Sequence, residues 1–173
     1  MRYSDEHFMD IAISEALKAD FKVYPNPKVG CVITRDNEII GRGYHQKFGS
    51  PHAEEIAIKS TSKSLHNASI YITLEPCSHS GKRPPCIDLI IENNFKKVVI
   101  ANLDPNPIAE GGTEILRANG IKVLTGVCES KAKKINRRFF TYHEKNRPYV
   151  ILKFASTLDG FLAKNNGESK WIT

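Results

Sequence analysis

The chain has 173 residues, 40% hydrophobic and 25% charged, which suits one globular domain with room for a real core. No apolar run approaches the roughly 20 residues that span a bilayer, and Arg2, Ser4, Asp5 and Glu6 do not open a signal peptide, so the expectation is a cytoplasmic protein. The net charge of +6 raises nucleic acid as a partner. However, the basic residues are scattered apart from Lys131, Lys133, Lys134, Arg137 and Arg138, a run that suits a solvated helix face.

Residues 4–20 read as a helix. Ser4 can cap it, Asp5 and Glu6 suit its first turn, and Phe8, Ile11, Ala12 and Ala16 form a stripe broken only by Glu15. Tyr24-Pro25-Asn26-Pro27 is a loop, because each proline bars its predecessor from the helical region. Residues 28–34 and 38–44 form a hairpin turning at Asp36-Asn37, with Cys31 as a core thiol. A helix over 53–60, a strand over 69–74, a helix over 86–93 and a strand over 97–101 follow. A helix over 113–119 ends at Gly120, a strand covers 122–125, and one last helix runs over 129–144. This alternation predicts a three-layer α/β/α sandwich on a mixed sheet, mostly parallel after the opening hairpin. His7, His66 and His143 are expected at the surface, and Cys128 as a structural or idle thiol.

His52-Ala53-Glu54, Pro76-Cys77 and Cys86 carry the chemistry. They offer one imidazole and two thiolates, and three protein ligands leave a tetrahedral zinc one open position, the mark of a catalytic site. His52 and Glu54 fall at a helix start, Cys77 in the loop leaving a strand, and Cys86 at the next helix start, where the helix dipole favours thiolate. In open α/β sheets, sites form outside the carboxyl ends of the strands. Zinc at such a site acidifies water toward neutral pH. Glu54 is placed to take the water's proton, pass it to a ring nitrogen and return it to departing ammonia. Zinc deaminases use this set with the Glu as acid/base, but with two residues between the cysteines. Here eight intervene, Ser78 to Pro85. That loop carries His79, Lys82 and Arg83, and is either a phosphate grip or a solvated loop. A purely structural zinc would need a fourth ligand, for which His79, His45, Cys31 and Cys128 are the candidates.

Around these residues the chain resembles a known family. Pro25-Asn26-Pro27-Lys28-Val29-Gly30, Gly43-Tyr44-His45, Pro51-His52-Ala53-Glu54, residues 73–82 with Pro84-Pro85-Cys86, and Asp104-Pro105-Asn106-Pro107 follow the order of the deaminase domain of the bifunctional riboflavin-biosynthesis deaminase–reductases. The resemblance implies a cytidine-deaminase-like fold and removal of the 2-amino group of 2,5-diamino-6-ribosylamino-4(3H)-pyrimidinone 5′-phosphate. It implies one zinc on His52, Cys77 and Cys86, a proton shuttle at Glu54, and substrate contacts from Asn26, His45, His79, Lys82, Asp104 and Asn106. Residues 108–113 depart from the family pattern.

The resemblance divides the chain into a deaminase domain over 1–145 and a segment over 146–173 that looks like the start of an NADPH-dependent reductase domain. Ala155, Ser169 and Trp171 match positions that touch cofactor or substrate there. Most of that domain is missing, so no reductase activity is expected, and the apolar run 150–154 needs cover from the same sheet or from a partner subunit. A homo-oligomer and a separate reductase partner are both compatible with the pattern. The competing enzyme reading is a nucleoside or nucleic-acid base deaminase; against it stand the long cysteine loop and the absence of an aromatic, basic strip for stacking bases. The competing non-enzyme reading is a zinc-binding module, against which Glu54 argues.

Overall fold

The computed structural model describes residues 3–79 and 84–170. Helix α1 (Asp5–Leu17) is followed by a 3₁₀ turn (Phe21–Val23), the hairpin β1 (Gly30–Arg35) and β2 (Glu38–Tyr44), and α2 (Ala53–Lys59). Then β3 (Ser69–Ile72), α3 (Cys86–Glu92), β4 (Lys97–Ile100), α4 (Gly112–Ala118) and β5 (Lys122–Thr125) alternate. Helices α5 (Glu129–Ile135) and α6 (Arg137–Lys145) follow.

The sheet runs β2-β1-β3-β4-β5. β1 pairs antiparallel with β2 and β3, while β3, β4 and β5 are mutually parallel. The hairpin turns at the expected dipeptide, with Asp36 and Asn37 both in the left-handed region (φ 51° and 68°) that a primed two-residue turn demands. Alternation along the strands divides the core. Cys31, Ile33, Ile70, Ile72, Val98, Ile100 and Val123 face α2, α3 and α4. Val32, Tyr71 and Val99 face α1 and α5. The result is the expected three-layer sandwich on a mixed sheet.

Glu15, the polar break in the α1 stripe, is buried and bonds Lys18 at 2.6 Å and Arg42 of β2 at 3.7 Å. The last helix differs from expectation. Asn136 (φ −116°, ψ 25°) splits it into α5 and α6, and its side chain bonds the backbone of Lys28 instead of facing solvent. The apolar run at 150–154 does not join the sheet: the described part of the tail beyond α6 forms turns only, with Val150, Leu152 and Phe154 exposed.

Helix α2 lies backbone to backbone on β2. A Cβ at Gly41 would stand 2.6 Å from the Ala57 carbonyl, and one at Gly43 would meet the Ala53 carbonyl and stand 2.5 Å from the Ala57 nitrogen. Gly43→Ala is therefore expected to lower stability by about 1–3 kcal/mol, as overpacking does. Urea unfolding reads the effect, and an unchanged midpoint would contradict the contact.

Candidate active site

Three elements deliver the metal donors to one end of the sheet. His52 is the extended residue that precedes α2, Cys77 lies in the loop after β3, and Cys86 is the first residue of α3. The His52 Nδ1 lies 3.1 Å from the Cys86 Sγ and 3.7 Å from the Cys77 Sγ, and all three donor atoms fall within 4.8 Å of one another. Zinc bond lengths of about 2.0–2.3 Å at tetrahedral angles require donor separations of roughly 3.6 Å, so these residues fit the ion. The Cys86 backbone N–H also donates to the Cys77 sulfur at 3.4 Å, which places that sulfur on the head of α3.

Three of the other candidate ligands are otherwise engaged. The Pro51 carbonyl can only accept, so the His45 Nδ1 facing it at 3.1 Å carries the ring proton, and Nε2 accepts from the Asn26 amide at 3.1 Å. Burial lowers the His45 pKa, which favours this neutral ring. Cys31 is fully buried in the core, and burial, then the Glu54 charge, hold its thiol well above the usual range. Cys128 points at the Glu6 carbonyl on the far face. Among the described residues, His52, Cys77 and Cys86 are the grouping that could hold a metal.

A hydrogen bond from Cys86 holds the Cys77 thiol well below its usual pKa, and the same bond drives Cys86 upward. Glu54, in the first turn of α2 and 3% exposed, is raised to about 7, chiefly by burial and against the attraction of His52. A cation on the adjacent donors would pull it back down.

These residues open onto a cleft of about 440 Å³, within the usual size range of small-molecule sites. His52, Glu54 and Cys77 stand with Asn26, His45, His79, Asp104 and Asn106 along its wall. Asp104 accepts from the Asn106 backbone at 2.9 Å, and burial raises its pKa to about 6. Glu75, which sequence reasoning did not single out, is buried below the same wall; it accepts from the Asp104 N–H at 3.1 Å and the Thr113 N–H at 2.8 Å. Phe139 and His143 of α6 also line the cleft, so His143 is half-buried in the site, not at the open surface. Helical periodicity could not reveal this, because it places residues around an axis without saying where the axis points. Lys82 and Trp171 lie outside the described residues. Ala155 and Ser169 are exposed in the tail, away from the cleft.

The family model for the cytidine and deoxycytidylate deaminase zinc-binding region matches residues 2–102. The chain belongs to that family. It is 49% identical, over its full length, to the riboflavin biosynthesis protein RibD of Aquifex aeolicus, and 44% identical over 98% of its length to RibD of Escherichia coli. It spans about half the length of these curated relatives, 49% and 46% respectively. A solved diaminohydroxyphosphoribosylaminopyrimidine deaminase/5-amino-6-(5-phosphoribosylamino)uracil reductase from Thermotoga maritima superposes with a TM-score of 0.91 at 50% identity. That match covers 98% of this chain and 49% of the other.

The thiol pair can be checked directly. In metal-free protein at pH 6, below the range in which an ordinary thiol ionises, Cys77 is expected to react first with iodoacetamide, while Cys31 stays unmodified. Zinc is expected to protect Cys77. Mass spectrometry of the alkylated peptides reads both outcomes.

Proposed function

We propose that this chain is a riboflavin-pathway deaminase. It would convert 2,5-diamino-6-ribosylamino-4(3H)-pyrimidinone 5′-phosphate and water into 5-amino-6-ribosylamino-2,4-pyrimidinedione 5′-phosphate and ammonia. The observation that carries the reading is a buried carboxylate, Glu54, beside a three-donor metal site on the floor of a nucleotide-sized cleft. Identity of 41–49% to RibD proteins along nearly the whole chain supports the substrate class.

His52, Cys77 and Cys86 would hold a zinc, which when bound would supply a Lewis acid that makes water a nucleophile near neutral pH. Glu54 would take a proton from the attacking water and deliver it to the ring nitrogen beside the amino-bearing carbon. A C–O bond forms, the C–N bond breaks, and Glu54 carries the second proton to the leaving ammonia. Its burial keeps it from bulk water and makes its proton affinity responsive to the site. His45 uses both ring nitrogens within the protein, which turns the Asn26 amide so that its oxygen is the atom available to accept from a substrate N–H. Asp104, Asn106 and His79 line the cleft and would contact the substrate, and the family resemblance adds Lys82 for the phosphate.

The unit spans residues 1–145, and the exposed apolar tail is read as the beginning of a reductase unit that docks elsewhere. Ala155 and Ser169 lie exposed in the tail and do not line the cleft described above. The proposed reductase partner is a separate or contiguous domain, and a homo-oligomer would also cover the tail. The small anionic substrate and four free cysteines favour the cytoplasm.

Wild-type protein is expected to release ammonia from the pyrimidinone phosphate and to stop when zinc is chelated. Release from cytidine or tRNA alone would favour a base deaminase instead. Glu54→Gln is expected to retain zinc while losing turnover by about 10²- to 10⁴-fold, the scale of acid–base catalysis. Near-normal activity of that variant would sink the assignment.

A further inference from the structure

Lys28 sits two residues ahead of β1, where the ladder ends at the Gly30–Tyr44 pair. Its backbone nevertheless has strand-like partners. The Lys28 N–H donates to the Asn136 Oδ1 at 2.8 Å, and the Asn136 Nδ2 donates to the Lys28 carbonyl at 2.8 Å. A single side-chain amide thus stands where the next strand would stand, across 108 positions of sequence. Only an amide presents one donor and one acceptor side by side, so Asn and Gln alone can do this. Asn136 is 7% exposed, so losing the pair would leave buried polar groups unmet.

Both neighbours of this clamp are cleft walls. On one side the chain continues through Pro27, Asn26 and Pro25, which line the cleft, and the Asn26 amide bonds His45. On the other side Asn136 opens α6, where its carbonyl accepts from Phe140 at 3.0 Å; Phe139 and His143 then line the same cleft. The break in the expected single helix is the same residue, so α6 takes its direction from the point that anchors the Asn26 loop.

We propose that Asn136 is a positioning residue for substrate: its amide ties the Asn26 loop to the head of α6 and so fixes how Asn26 faces the ligand. Asn136 touches neither substrate nor metal and acts through Asn26. The proposal rests on reading the cleft as the deaminase site, and it adds a determinant of substrate binding that lies outside the donor set.

The test is a double-variant cycle of Asn136→Leu with Asn26→Ala, using zinc-loaded protein and the pyrimidinone phosphate. Asn136→Leu is expected to keep its zinc, to raise KM about tenfold and to change kcat less than about threefold, the pattern of lost uniform binding. In the Asn26→Ala background the same change is expected to add less than about twofold, because residues acting as one unit are not additive. A KM within about twofold of wild type, or a full effect that persists without the Asn26 amide, would overturn the proposal. If Asn136→Leu does not fold, Asn136→Asp, which keeps the acceptor for Lys28 and loses the donor, carries the same cycle. A wild type inactive on this compound rejects the substrate reading alone. Asn136 is then judged by amide exchange. Faster exchange at both Lys28 and Asn26 in the variant, with α2 still protected, supports the clamp; unchanged exchange at Asn26 refutes it.

Discussion

The direct seating of α2 on β2 is the constraint from which the site follows. With no side chains at Gly41 and Gly43, the helix backbone lies against the strand backbone, and Cβ atoms there would meet Ala53 and Ala57. That contact sets the depth of the α2 head, and therefore of His52 and Glu54. A similar approach recurs on the other side of the donors, where Gly112 of α4 lies against the Pro76 carbonyl, one residue before Cys77. Helices separated from the sheet by a layer of side chains would carry the same residues several ångströms farther out. Three donors from three elements could not then lie within 4.8 Å.

Such closeness collects negative charge. Glu54, Cys77 and Cys86 would all be anionic in their working states, and two of them, Glu54 and Cys86, are buried. The hydrogen bond to Cys77 pushes Cys86 upward and burial raises Glu54 to about 7, so both hold their protons more tightly than usual. A divalent cation there would replace those protons, so binding the ion and ionising its neighbours would be one equilibrium. The same crowding is what would let the buried carboxylate serve as an acid and a base. A carboxyl buried among apolar groups would simply stay neutral, whereas one beside a cation can gain and lose a proton near neutral pH.

Much of this was legible in the sequence. His52, Glu54, Cys77 and Cys86 carried their chemistry in residue type and spacing, and period-two and period-3.6 patterns located the strands and helices. The hairpin turned where Asp36-Asn37 predicted, because only a few residues tolerate its positive φ angles. What stayed hidden depended on backbone. Gly41 and Gly43 matter through an absence of atoms, which no apolar pattern records. Asn136 sits in a polar, helix-compatible run, and nothing local says that its amide pairs with Lys28. Glu75 is a charge in sequence and a ligand for two backbone N–H groups in space. His143 looked like a surface residue because the direction of α6 is set by the break before it.

The cleft therefore has two kinds of wall. Its floor comes from the carboxyl end of the sheet and the heads of α2 and α3, where ladders and helix packing leave little freedom. Its rim comes from irregular chain, whose backbone groups must find partners elsewhere. They find them in polar side chains. Asn136 serves Lys28, Glu75 serves Asp104 and Thr113, and Asp104 and Asn106 serve the turn that carries them. An amide or carboxylate that completes a loop's hydrogen bonding also fixes which way that loop presents its own side chains. The chemistry of the site is thus set by packing, and its choice of ligand by a small number of buried side-chain-to-backbone bonds. Substitutions in the two layers should separate accordingly: the floor governs whether a metal and a proton shuttle exist, and the rim governs which ring is held over them.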